Sequence, residues 1–408
     1  MTQHINYVRR VDVRRRLNLS TFMRTNDRTG SFAVFGGSPE ERQTAALRGI
    51  ARGCGEMGVV ILHNDTGLEE RLGELYSYKP SGYTVFSANP NGSRDYDPLY
   101  GMQKADVLDS IVPFDAAGAA APGLAMARSG LSDYLRIMEY FHSTGAEGFG
   151  QYPYNLDLLL SLVSMSYMDL ESRVISCMPE HDQYELKHRM SAAGVQQAVW
   201  NMVENYAIRM EAYLWTRRAD WQQHTRCSIA SAVMEGNVIS VRVPESNPDL
   251  LRCCAAEVDS LIRRSVPLLV VCCGLRVAGN PVLENIFFNA HNNWITGLVA
   301  PTLNAAAGTD RLGDILRLNQ QVVVFPCAST EEAEAFSAAL GSYYRLIHPR
   351  TRGRNRRFPW ILPEFTRQVG YQETEVRNVR PEELMRGYVL LTGEDTEVPI
   401  LVRHLVFD

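Results

Sequence analysis

The stretch Ser31–Asp65 is the one around which the rest of the 408-residue chain has to arrange itself. Ser31-Phe-Ala-Val-Phe35 predicts a short buried strand. Gly36-Gly37-Ser38-Pro39-Glu40-Glu41-Arg42-Gln43-Thr44 predicts a loop running into a helix over Ala45–Cys54, and Val59-Val60-Ile61-Leu62 a second buried strand ending at His63-Asn64-Asp65. Strand, glycine turn, helix and strand is the layout of a phosphate-binding β–α–β unit. In the loop G-x-x-x-x-G-K-[ST], backbone N–H groups and the lysine hold phosphates, and the hydroxyl holds magnesium. Counted from Gly36, the second glycine is Glu41, the lysine is Arg42 and the Ser/Thr is Gln43. Counted from Gly37, Thr44 survives but Gln43 replaces the lysine. Neither register works, and Glu40 and Glu41 point negative charge at a polyphosphate. The place for a phosphate loop is present; its chemistry is not.

The length leaves room for two or three domains, or one domain with a large insertion. A hydrophobic fraction of 45% and a charged fraction of 21% allow a sizeable core. The net charge of −5 gives no global signal for nucleic acid. Basic residues nevertheless cluster twice, as Arg9, Arg10, Arg14, Arg15 and Arg16, and as Arg350, Arg352, Arg354, Arg356 and Arg357. The first cluster is expected to be a solvated arm or strand, or a patch that touches a partner or a phosphate backbone. The eight cysteines include Cys253-Cys254 and Cys272-Cys273 but form no C-x-x-C spacing. They are expected to be buried, reduced thiols of a cytosolic protein. No apolar run approaches the ~18–20 residues of a membrane helix, and the basic N-terminus lacks a following apolar segment, so neither a span nor a signal peptide is expected.

Beyond the opening unit, Leu68–Leu75 predicts a short helix, Tyr83–Phe86 a strand, and Tyr96-Asp97-Pro98-Leu99 an extended segment. From 120 to 235, helical spacing takes over: Leu131, Leu135, Met138 and Phe141, then Leu156, Leu159 and Leu160, then Val195, Val199, Met202, Tyr206 and Met210. This predicts an inserted all-helical domain of about five helices, with Met165, Met168, Met178, Met190, Met202 and Met210 as core filler. From 236 the α/β pattern returns. Strands are predicted at Asn237–Val243, Val266–Cys273, Trp294–Val299 and Gln321–Phe325, and helices at Leu250–Arg264, Asn280–Asn292, Leu312–Leu318 and Glu331–Tyr344. A strand pair, Tyr388–Thr392 and Pro399–Phe407, closes the chain. Residues 1–119 and 236–408 are thus the two parts of one α/β domain, a doubly wound and mainly parallel sheet interrupted by 120–235.

In this order of features the chain resembles the type IV coupling proteins of bacterial conjugation and type IV secretion, RecA-like P-loop ATPases that move DNA. The family carries a strand ending in an aspartate turn, matched by Val59–Asp65. Its G-x-x-V-x-x-F-N-P … Y-N-P-L stretch is matched by Gly82-Tyr83-Thr84-Val85-Phe86 … Asn89-Pro90 … Tyr96-Asp97-Pro98-Leu99. An inserted all-α domain follows, and later a helix ending at Leu340-Gly341. Its late string R-x-l-x-P-E-E-L-x-x-L-x-x-G-x-x-l-l is matched by Arg377-Asn378-Val379-Arg380-Pro381-Glu382-Glu383-Leu384, running on to Leu391. The resemblance covers roughly residues 30–408 and implies a RecA-like fold.

The departures bear on function. Walker B needs Asp-Glu after its apolar strand, and the matching positions are Cys272 and Cys273. No glutamine stands near Ala300-Pro301-Thr302, the sensor position, although Asn319 does match. Phosphoryl transfer rests on positioning and charge neutralisation by these groups. The resemblance therefore implies a degenerate, non-hydrolysing relative without cofactor, working beside other protein subunits of a secretion or conjugation apparatus, cytoplasmic or held at the membrane by partners. Two alternatives stay open. One is an ATPase with unconventional ligands, Arg42 standing in for the lysine and Glu257 or Asp259 for the magnesium carboxylate, with ATP and Mg as cofactors. The other is an unrelated α/β binding module. Scattered histidines give no metal spacing. His291 beside Asn292-Asn293 is expected to be a polar cap, and Trp200, Trp215 and Trp221 to be core. The Arg350–Arg357 segment, with Phe358 and Trp360, reads as a solvated linker or a weak DNA contact.

Overall fold

The computed structural model describes residues 9–11, 17–18, 30–53, 57–78, 85–88, 95–112, 122–210, 226–245, 248–289, 294–347, 372–392, 399–403 and 405–406. In chain order the strands are β1 Arg9–Val11, β2 Leu17–Asn18, β3 Phe32–Phe35, β4 Gly58–His63, β5 Val85–Ala88, β6 Asp95–Tyr96, β7 Arg226–Cys227 and β8 Val238–Arg242. They continue with β9 Leu268–Cys273, β10 Trp294–Ala300, β11 Gln321–Val324, β12 Ser342–Ile347, β13 Gln372–Arg377, β14 Val389–Thr392, β15 Ile400–Val402 and β16 Leu405–Val406. The helices are α1 Pro39–Gly53, α2 Thr66–Arg71, α3 Lys104–Ile111, α4 Pro122–Ser143, α5 Leu156–Val163, α6 Tyr167–Arg173, α7 Glu180–Met190 and α8 Val195–Met210. After them come α9 Ile229–Met234, α10 Pro248–Arg263, α11 Pro281–Phe288, α12 Leu303–Ala306, α13 Leu312–Leu318, α14 Thr330–Ala339 and α15 Pro381–Met385.

Among the described residues ten strands form one sheet in the order β1-β15-β14-β11-β3-β10-β9-β4-β8-β5. The seven strands from β11 to β5 are all parallel. The closing strands β14 and β15 add antiparallel, and β1 returns parallel to β15. The five expected strands β3, β4, β9, β10 and β11 thus lie side by side in one sheet. Their apolar runs are continuous because both faces are covered. On β9, Leu268, Val270 and Cys272 enter the core beneath α10 and the helical segment, while Leu269, Val271 and Cys273 enter the core beneath α1. The approach of α1 is set by Phe32, whose ring lies against two glycines, Gly49 of α1 and Gly297 of β10. A Cβ at Gly297 would stand 2.5 Å from the Phe32 Cζ, and one at Gly49 would overlap the same ring.

Helices α4 to α8 follow one another and bury Leu131, Leu135, Leu159, Leu170, Leu186 and Val199 among themselves. Arg136 of α4 reaches Asp182 and Glu185 of α7, and Lys187 of α7 pairs with Glu171 of α6 at 3.1 Å. Met178 and Met190 are buried and Met165 and Met202 pack against the core. Met168 departs from the expectation of core filler: it is 80% exposed, because it lies on the outer side of the short amphipathic α6, opposite buried Leu170. Short α9 falls within 120–235 but packs on β4 and β8.

Several boundaries differ from those read in the sequence. The helix expected over Glu331–Tyr344 stops at Ala339, because Gly341 takes φ +75° and turns the chain into β12, where Tyr343 and Tyr344 pair with β13. The Leu68–Leu75 helix is an α-turn capped by Asp65 followed by a 3₁₀ segment over Leu72–Tyr78. Tyr96–Leu99 is extended only at Asp95–Tyr96; Asp97 Oδ1 accepts from the Leu99 N–H and folds the next residues into a turn. Helix α11 ends at Phe288, and His291, Asn292 and Asn293 lie outside the described residues. So do Trp215, Trp221, Arg14 to Arg16 and the whole Arg350–Trp360 segment. Trp200 is half-buried against the core. Among the described cysteines Cys177 is exposed, in contrast to the expectation for all eight.

Candidate functional site

In doubly wound sheets ligands bind outside the carboxyl ends of the strands. Here β3, β4, β8, β9 and β10 deliver Gly36, His63, Val243, Cys273 and Ala300 to that edge. A cleft of about 770 Å³ opens over it, a size suited to a small molecule or an inserted side chain. One wall carries Arg42, Gln43 and Asp65, the opposite wall Glu245, Leu251 and Arg252, and the floor Cys273, Gly274 and Val299. Arg276, Asn280 and Pro301 stand at its margin.

The glycine loop takes left-handed backbone at Gly36 and Gly37, φ +75° and +66°, and a Cβ on Gly36 would meet the Phe325 carbonyl at 2.7 Å. Its donors are turned inward, however. The Ser38 N–H donates to Glu41 Oε2 at 2.7 Å and the Glu41 N–H donates to Ser38 Oγ at 3.2 Å, a reciprocal capping box at the head of α1. The carboxylate therefore takes an amide, and the charge of the helix end, that a bound phosphate would take. Arg42 does not extend towards a ligand. Its guanidinium donates back to the carbonyls of Gly36 at 3.2 Å and Gly37 at 2.5 Å, and burial lowers its pKa from the usual arginine range.

Gln43 donates to both carboxylate oxygens of Asp65 at 3.0 Å, and Asp65 also accepts from the N–H groups of Gly67 and Leu68. Asp65 is thereby spent on capping α2. The Thr44 hydroxyl donates to the Glu40 carbonyl at 2.8 Å and accepts from Arg71 at 3.0 Å, so it faces α2 instead of the strand ends. His63, fully buried, bridges the Asp65 carbonyl and the Ser240 hydroxyl; burial lowers its pKa and keeps the ring neutral.

At the Walker B position the two cysteines face opposite ways. Cys273 lines the cleft and Cys272 points into the other core. Burial pushes the Cys272 thiol up to about 12 and the Cys273 thiol well above the usual range, so both are neutral and supply no charge to a cation. The two carboxylates that sequence reasoning offered in their place do not line the cleft. Glu257 is buried on the opposite face against Tyr96 and Ala230, and Asp259 pairs with Arg263 at 3.3 Å. Asn319 is buried and donates to the Ile315 carbonyl. Among the described residues no group of three His, Cys, Asp or Glu side chains could hold a metal ion.

Of the residues singled out by sequence, the fold brings Arg42, Gln43 and Cys273 to the cleft, holds Gly36, Gly37 and Thr44 beside it, and turns Cys272 away. Arg252, Arg276 and the Asn64–Glu245 bond at 3.2 Å were missed. Asn64 follows directly on an apolar strand, which was the available signal.

No family model and no curated protein matches the sequence. Among solved structures the chain is similar to the bacterial conjugative coupling protein TrwBΔN70 in its unbound monoclinic form, with a TM-score of 0.51 and 11% identity over 98% of this chain and 90% of that one. The same protein in complex with ADP and Mg²⁺ gives a TM-score of 0.49 at 11% identity, over 98% of this chain and 90% of that one. VirB4 of Thermoanaerobacter pseudethanolicus gives 0.42 at 12% identity, covering 94% and 92% of the two chains. The class defined by sheet and cleft is thus a RecA-like P-loop-type α/β fold. Within that class, the chain shares its fold with the conjugative coupling protein over nearly its whole length. No described helix is long and apolar enough to cross a membrane.

Proposed function

We propose that this chain is a non-hydrolysing relative of the coupling ATPases, a structural or substrate-recognition subunit of a DNA- or protein-translocating assembly. The observation that carries the reading is the closure of the phosphate loop by its own side chains: Glu41 on the Ser38 amide, Arg42 on the loop carbonyls. A polyphosphate arriving there would have to displace a carboxylate and would meet no lysine and, at the Walker B position, the neutral thiol of Cys273 in place of a magnesium carboxylate. The partner is expected to be another protein of the same apparatus, with DNA contact weak. The test is a calorimetric titration with ATP and magnesium, beside a turnover assay with and without DNA. Absence of binding and background turnover are expected. Turnover that disappears in Arg42→Ala but persists in Arg9→Ala would overturn the reading.

A further inference from the structure

We propose that Glu257 is a proton-operated clasp at the base of the helical segment, closed when its carboxyl is neutral and loosened when it ionises. Segment 97–225, which contains α3 to α8, leaves the α/β layers at β6 and returns at β7, and these two strands pair side by side through Asp95–Arg226 and Tyr96–Cys227. Glu257 sits on α10, whose Cys254, Ala255 and Val258 belong to the core beneath the sheet. Its side chain is fully buried. One carboxyl oxygen takes the Tyr96 hydroxyl at the exit strand, and the other accepts the Ala230 N–H at 3.1 Å in the first turn of α9, just past the return strand. A single carboxyl thus ties the way out, the way back and the sheet layer together.

The groups around it are acids. Tyr96 and Asp97 face it from the β6 segment, Tyr206 from α8, and Cys253 and Cys254 from its own helix, with Cys272 of β9 behind Cys254. Helix α9 presents backbone amides. Asp106 of α3 lies a turn farther along α10, already held by Ser260 and by Arg263 at 3.0 Å. Arg264 reaches the Gly101 carbonyl, and Glu284 on α11 is engaged by Arg311. In the neutral form both carboxyl oxygens are engaged: Glu257 donates to the Tyr96 oxygen, Tyr96 donates to Cys254 Sγ at 3.6 Å, and the second carboxyl oxygen keeps the Ala230 amide. In the ionised form a charge lies in this apolar seam with one hydroxyl and backbone amides as its only named donors. Desolvation accordingly raises the carboxyl to about 8.

Opening the base wets Glu257 and returns it to the ordinary carboxylate range, so opening releases a proton. Opening therefore becomes easier by about tenfold per pH unit between about 4.5 and about 8, and levels off above. Hydrogen exchange of the full chain, corrected for intrinsic rates, reads this directly. From about pH 5.5 to about pH 7.5, protection of residues 95–101 and 226–234 should fall by about tenfold per unit. In Glu257→Gln, which keeps the shape and both partners, the slope should vanish. The same slope in Glu257→Gln, or a flat wild-type profile, overturns the clasp. If the glutamine variant does not fold, the wild-type profile alone decides.

Discussion

Glu41 Oε2 accepts the Ser38 amide at 2.7 Å while Ser38 Oγ accepts the Glu41 amide at 3.2 Å, so the head of α1 is closed by the chain itself. Removing the hydroxyl in Ser38→Ala should cost about 1 kcal/mol, within the range for removal of an N-cap. Urea unfolding should show a lower midpoint at unchanged slope. Glu41→Gln, which still offers an oxygen to the amide, should be less destabilising than Glu41→Ala.

Phe32 fixes the distance between α1 and the sheet. Gly49→Ala or Gly297→Ala places a methyl into its ring and should destabilise by about 1–3 kcal/mol, read as a fall in Tm. Combining either change with Phe32→Leu should cost less than the sum of the separate effects, because the smaller side chain makes room for the methyl. Additive effects would show that the ring is not what the glycines accommodate.

His63 and Glu257 give opposite pH dependences. Burial depresses His63, so its share of stability is present above the unfolded value of about 6.5 and is lost as pH falls through the lower folded value. Glu257 is raised to about 8, so its share is complete below about 4.5 and is lost as pH rises to about 8. The two slopes oppose each other just below about pH 6.5. In Glu257→Gln, stability should rise with pH across that window; in His63→Gln, which keeps an acceptor for the Ser240 hydroxyl, it should fall with pH. Urea titrations at a series of pH values measure both, and identical profiles in the two variants would contradict the assignment.

The arginines of 350–357 lie in the sequence between β12 and β13. Changing Arg354, Arg356 and Arg357 to alanine should abolish whatever weak DNA binding exists at low salt. Each arginine–phosphate pairing removed should reduce the slope of log affinity against log salt by about 0.7–0.9. Fluorescence anisotropy with a single-stranded oligonucleotide tests this, and binding unchanged in the triple variant removes the segment from any nucleic-acid role.

The parallel sheet was legible because strands such as Val59–Leu62 and Val266–Cys273 are buried on both faces and read as unbroken apolar runs. The end of α14 was not, since Tyr343 and Tyr344 prolong an apolar pattern that only the left-handed turn at Gly341 interrupts. Ser38-Pro39-Glu40-Glu41 carries a legible S-x-x-E cap, although its charges are the more conspicuous signal. The bonds that decide the site join residues far apart in sequence, as Gln43 joins Asp65 and Asn64 joins Glu245. Glu257 was legible only as a stand-in magnesium carboxylate, because its partner Tyr96 comes from the other side of the helical segment.

Val59 of β4 lies beside Val238 of β8, although the entire helical segment separates them along the chain. The loop entropy of that detour grows only slowly with length, and the early meeting of β6 with β7 shortens it in effect. The order of assembly follows. The expectation is that the helical segment closes on local contacts first and its paired ends then carry β4 and β8 into register; pulse-labelling hydrogen exchange showing β4 and β8 protected before α4 to α8 would contradict it.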